Sequence, residues 1–259
     1  MKTLLKISIL LSLFCFWSCD DDDDINGSGE SITREVDISN DFQGLDIRVP
    51  AQVMITQDDS TSITATGQEN ILNNLEYRIN NDGILTIKFD RNVSSFEELI
   101  LEISLSTLKE MRASGKAEIT GLTPFRDLND LDIKQSGLSS INLDSIFSEE
   151  LEIDMSGESK LNIIHSTTQT EIDMSGNTSI DIEGTSQSTE IDMSGDSNIE
   201  GVDFNTESLE VDMSGSSNLT ITVELSIDGQ ISGSSQIRYG GQPSVNVSTS
   251  GSSSIEPIN

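Results

Sequence analysis

From residue 111 onward, apolar and polar side chains alternate with a period of two, the pattern of half-buried β-strands. The alternation is phased by a recurring Ser-Gly dipeptide, with its glycine at 115, 137, 157, 176, 195, 215, 233 and 251. Successive steps are 22, 20, 19, 19, 20, 18 and 18 residues, too regular for chance. Four residues after each glycine stand Ile119, Ile141, Leu161, Ile180, Ile199, Leu219, Ile237 and Ile255. Two after it, every residue is small: Ala117, Ser139, Ser159, Thr178, Ser197, Ser217, Ser235 and Ser253. Four before it stand Met111, Ile133, Ile153, Ile172, Ile191, Val211 and Val247, with Gly229 breaking the row. Even offsets from the glycine therefore point inward and odd offsets outward.

A unit of about 19 residues is too short for a helical repeat and suits one coil of a three-strand β-solenoid. Stacked at about 4.8 Å per coil, such units place like residues over like. The expected fold is all-β: a parallel three-sided β-solenoid of about eight Ser-Gly turns. Stability would be mainly nearest-neighbour, coil on coil.

Residues 30–110 are strand-rich without the Ser-Gly step. Leu45, Ile47 and Val49 alternate with polar residues, as do Leu99, Leu101, Ile103 and Leu105. Asn81-Asp82-Gly83 marks a turn before Ile84. Ser95-Phe96-Glu97-Glu98 has capping-box spacing and predicts one helical turn. These residues are read as less regular coils capping the amino-terminal end. Domain limits follow: a signal segment at 1–18, an acidic tether at 19–29, and one solenoid at 30–258, irregular at 30–110 and repetitive at 111–258.

The chain has 259 residues with 14 Lys+Arg against 45 Asp+Glu, a net charge of -31. Such a charge repels phosphate backbones and argues against nucleic-acid partners. One histidine, His165, argues against a His-based metal site or triad. Following Ile163-Ile164, it reads as a loop residue at a turn.

Lys2 and Lys6 precede an apolar run from Ile7 to Trp17, too short to span a bilayer but suited to a signal peptide. The run ends at Ser18-Cys19, which resembles a bacterial lipobox, although Trp17 departs from its small-residue preference. Cys19 is then the lipidated first residue, and loss of Cys15 with the signal leaves no thiol for disulfides. Ordinary secretion with a free Cys19 is the alternative. The aspartates at 20–24 and Ile25-Asn26-Gly27-Ser28-Gly29 read as a solvated, flexible tether. An acidic stretch after the cysteine resembles the surface-export signal of Bacteroidetes lipoproteins. The expected location is the outer membrane, anchored by lipid at Cys19 and facing outward, with the periplasmic face as the other option.

Three stretches resemble the "putative auto-transporter adhesin, head GIN domain" family. They are Asp41 to Gln57, Leu108-Lys-Glu-Met-Arg-Ala-Ser-Gly115, and Ile231 to Pro243. With the repeats between them, the resemblance spans roughly residues 35–258. Ser106-Thr107 departs from the family, which often has a proline before the leucine. The resemblance implies a right-handed parallel β-helix and no established activity.

The sharpest candidate feature is a pair of outward acidic rows. One holds Asp154, Asp173, Asp192 and Asp212; the other runs through Glu152, Glu171, Glu190 and Glu210. Unit charges about 5 Å apart repel by roughly 1 kcal/mol in water. A solvated face that resists edge-to-edge aggregation is the plain explanation. A face bridged by Ca²⁺ is the other, though no Gly-Gly-x-Gly-x-Asp calcium repeat is present. No cofactor is otherwise implied. Arg238 and Tyr239 are the candidate sugar platform. Asp59-Ser60-Thr61 and Asp144-Ser145-Ile146 resemble a Bacteroidetes O-glycosylation acceptor. The leading expectation is a non-enzymatic, surface adhesin-like or scaffolding protein with a glycan or protein ligand. A glycan-binding accessory protein and a degenerate polysaccharide-active enzyme are the alternatives.

Overall fold

The computed structural model describes residues 24–38 and 40–258. Cys19, the signal segment and the first four aspartates lie outside them. The amino-terminal part holds β1 (Ile25–Asn26), β2 (Ser31–Glu35), β3 (Gly44–Ile47), β4 (Gln52–Gln57), β5 (Ser62–Gln68), α1 (Glu69–Leu72), β6 (Leu75–Ile79), β7 (Ile84–Phe89), β8 (Val93–Ser95) and β9 (Ile100–Leu105). The repeats form β10 (Glu110–Ala113), β11 (Glu118–Gly121), β12 (Phe125–Gln135), β13 (Ser140–Met155), β14 (Lys160–Ser166), β15 (Gln169–Met174) and β16 (Ser179–Met193). They continue through β17 (Asn198–Met213), β18 (Asn218–Ile231), β19 (Gln236–Gly240), β20 (Ser244–Thr249) and β21 (Ser254–Pro257).

The repeats wind as a parallel β-solenoid, and the glycine phase is its pitch. Leu161 pairs with Ile141 on one side and Ile180 on the other, so like side chains lie over like. On the next side, Ile153, Ile172, Ile191 and Val211 stack in register. These ladders are almost fully buried. A third, shorter side joins Phe125, Ile146, His165, Gly184 and Phe204 through bulged pairings. Eight glycine corners enclose about 7 turns, one fewer than the count of Ser-Gly repeats, because corners outnumber the intervals between them.

Each Ser-Gly glycine forms a left-handed corner, with φ between 71° and 89°. Its carbonyl accepts the N–H of the residue after the next corner glycine, as in Asp196 N–H to Gly176 O at 2.8 Å. The small residue two positions on has a stated job. Ser197 donates its hydroxyl back across the corner to Ser194 O at 2.8 Å, and Ser217 does the same to Ser214 O at 3.0 Å. Ser159 and Ser253 make the same bond, closing their corners locally, whereas Ser235 Oγ in the same column is buried without a partner.

The amino-terminal part does not simply continue the coil. β3 pairs with β7 and with β10, so residues 44–57 stack between segments that follow them in sequence. β5 runs antiparallel to β2 and β9, and β6 antiparallel to β7 through the expected Gly83 turn. This end is closed by folded-back strands, with Ile71 and Leu72 of α1 buried against it. Two local expectations are corrected. Ser95 ends a strand rather than capping a helix, because its hydroxyl bonds Asn26 Oδ1 at 2.8 Å. Ile25 and Asn26, expected in a floppy tether, pair with β8, and a side chain at Gly27 would strike Gln68 and Phe96.

Candidate functional site

The residues just before each glycine corner lie in register from coil to coil. Asp154, Asp173, Asp192 and Asp212 form one outward row, flanked by Lys134 at one end and Gln230 at the other. Two residues on, the exposed serines Ser156 and Ser175 belong to a parallel hydroxyl row. Between the rows lie Met155, Met174, Met193 and Met213, each 3% exposed. Together they line an open trough of about 1220 Å³ running along the solenoid axis.

The electrostatics of the trough are graded. Toward its amino-terminal end Lys134 Nζ donates to Asp154 at 2.8 Å and to Glu152 at 3.2 Å, and Arg112 and Arg48 continue the lining beyond it. Those contacts, led by the Asp154 bond, hold the ammonium above its usual range. At the other end Gln230 donates to Asp212 at 3.1 Å. In the middle, partial burial raises the Asp173 carboxyl, and repulsion from Asp192 and Asp154 adds to it. Asp192 is raised in the same way, by desolvation and then by Asp212. Both carboxylates are therefore costlier to ionise in the folded coil than in the unfolded chain, so this contribution to stability is lost as pH rises through the raised values. NaCl is expected to raise the melting temperature by screening this row. The Asp173→Asn, Asp192→Asn double variant should melt higher than the wild type at low salt and gain less from NaCl. Equal salt responses would show that the row carries no strain.

Among the described residues, no group of three or more His, Cys, Asp or Glu side chains is gathered as a metal site. The carboxylates are strung along the axis rather than converged on a point. His165 is not a loop residue at a turn. It sits inward on β14, 2% exposed, with its ring stacked on Phe204 at 4.9 Å between centroids. The intervening coil contributes Gly184, and that missing side chain lets the two rings meet. Nε2 lies 3.2 Å from Thr170 Oγ1, while Nδ1 has no partner. Burial pushes the imidazole down to about 3. The period-two rule already implied this placement, since His165 stands at an even offset, eight residues after Gly157.

Arg238 and Tyr239 do not make a common platform. As neighbours on β19 they point to opposite faces, Arg238 outward and Tyr239 half-buried against the core. Ser60 is exposed and donates to Asp58 Oδ1 at 2.9 Å, and Ser145 occupies a left-handed corner at φ 61°. Sequence reading picked out the aspartate row, but not the methionine floor or the cationic end at Lys134. Register could have supplied both, because they share the offsets of the repeat.

The strand stacking and the long axial trough define a parallel β-solenoid with an open groove along its axis. The signature of the family described as "Putative auto-transporter adhesin, head GIN domain" matches residues 41–243, and the chain belongs to that family. A putative adhesin from Parabacteroides merdae superposes with a TM-score of 0.84 at 22% identity, covering 92% of this chain and 100% of its own. A putative adhesin from Parabacteroides distasonis gives 0.83 at 18% identity, with 91% and 100% coverage. A structure from the same species, called a putative lipid binding protein, gives 0.83 at 21% identity and the same coverage. At these identities the likeness shows the fold. No curated protein matches the chain. Among the described residues, no helix is long and apolar enough to cross a membrane.

Proposed function

We propose that this chain is a lipid-anchored, non-catalytic protein of the cell envelope that presents its trough to a ligand outside the outer membrane. The observation that carries the reading is the unbroken register of the trough. A ladder repeating at about 4.8 Å suits an extended polymer lying along the axis, and offers no convergent point for a reaction. The aspartate row favours a ligand that donates hydrogen bonds or carries amines, such as a glycan or a protein segment. The buried, neutral His165 is poorly placed to act as an acid or base on such a ligand. Anchoring rests on the Ser18-Cys19 motif. Ile25 already belongs to a strand, so the span from Cys19 is at most about 20 Å, which would hold the amino-terminal end of the solenoid near the bilayer.

Three measurements test this. Cys19→Ala should move the protein from the membrane to the soluble fraction, and protease added to intact cells should degrade the anchored wild type. Protection of the whole chain would overturn the outward orientation. Binding to host cells or to arrayed glycans should fall in Asp173→Asn, Asp192→Asn, while the melting temperature does not. Unchanged binding would remove the trough from the reading.

A further inference from the structure

The two ends of the solenoid are built differently. At the amino-terminal end α1 covers the core, and both outer strands carry charge: Arg34 and Glu35 on β2, Glu76 and Arg78 on β6. Such charges are the usual guard against unwanted strand pairing. The carboxy-terminal end has little of this protection. Its last inward residues are the tops of the core ladders. Val245 is 40% exposed, whereas Ile227, one coil below, is 0% exposed. Val247, which stands over Gly229, and Ile255, which stands over Ile237, are likewise incompletely covered.

The edge strands at this end are unequal. β21 contains Glu256 and Pro257, which blunt it. β20, Ser-Val-Asn-Val-Ser-Thr, has neither charge nor proline. It pairs with β18 on one side, and among the described residues nothing pairs with its outer side. Charge singles out this end as well. Residues 229–258 contain one Arg and one acidic residue, Arg238 and Glu256, in a chain whose net charge is -31. Elsewhere two copies repel each other; here they meet without that cost.

We propose that the carboxy-terminal end is a self-association surface on which a second copy of this chain docks end to end. In it, β20 of one copy pairs antiparallel with β20 of the other across a two-fold axis. A bare strand edge is complementary to itself in this arrangement, and Val245 and Val247 become covered by their counterparts. A neutral end offers nothing to attract a strongly charged partner, so another copy fits better than a basic or acidic protein. The guarded amino-terminal end blocks head-to-tail stacking, so the assembly closes as a dimer instead of growing into a fibre.

The test uses the full chain in detergent, with Cys15→Ser and Cys19→Ser to remove other thiols. Asn246→Cys, in the middle of β20, should give a disulfide-linked dimer on mild oxidation, and sedimentation should show twice the monomer mass. Ser60→Cys, exposed elsewhere, should remain monomeric under the same oxidation. Adding Ser244→Lys and Ser248→Lys, which face each other when Asn246 lies on the two-fold axis, sets lysine directly opposite lysine and should weaken the dimer about tenfold or more. Circular dichroism should show that the solenoid still melts as before, since Ser244 and Ser248 are exposed. A monomer at every concentration, equal cross-linking at Ser60→Cys, insensitivity to the paired lysines, or open-ended oligomers would each overturn the proposal.

Discussion

Gly195→Ala is expected to destabilise the solenoid by about 3 kcal/mol, and Gly29→Ala by only about 1 kcal/mol. Both glycines are left-handed, Gly195 at φ 78° and Gly29 at φ 88°, so both substitutions carry the conformational penalty of about 1–2 kcal/mol. Their surroundings differ. A Cβ on Gly195 would stand 2.5 Å from Gly176 O and 3.0 Å from Gly176 N, whereas nothing lies within 4 Å of one on Gly29. The obstacle at Gly195 is backbone, which cannot swing aside without opening the Asp196 N–H to Gly176 O bond. Paired denaturant melts would check this. Equal losses at the two sites would mean that the glycine column serves conformation alone and that close stacking is unimportant.

The second large effect is in acid. Burial pushes the His165 imidazole down to about 3 in the fold, from the ordinary value of 6.5. Below pH 6.5 the unfolded chain takes up a proton that the folded chain refuses, so stability falls with pH until about 3. From pH 6.5 to 5 the loss is about 2 kcal/mol. The aspartate row pulls the other way, since the raised Asp173 and Asp192 carboxyls favour the fold as they protonate. Comparison with His165→Leu separates the two, because both proteins keep the row. Relative to wild type, the variant should gain a little over 1 kcal/mol per pH unit below 6.5. Parallel stability profiles would instead place the imidazole in contact with water.

How much of this was legible beforehand follows from locality. The Ser-Gly step and the Ile/Leu ladders are set by short, repeated spacing, so the solenoid, its inward faces and the aspartate row could be read from the chain. Parity even contained the position of His165, though a turn after Ile163-Ile164 was the simpler reading. The Ser95 cap went the other way: its hydroxyl was taken by Asn26, far away in sequence, and local spacing carries no trace of that competitor.

The sequence alone therefore determined the coil, its pitch, the columns that fill it and the charge on its outer face, because each follows from a residue's offset within its own repeat. Tertiary structure alone decided the order of stacking at residues 44–105, the meeting of His165 with Phe204 over Gly184, and the contrast between a guarded end and a bare one. Those features depend on which distant segments lie side by side. Several non-repeating strands can satisfy the same alternation in more than one order, and only the packing of the whole chain selects among them.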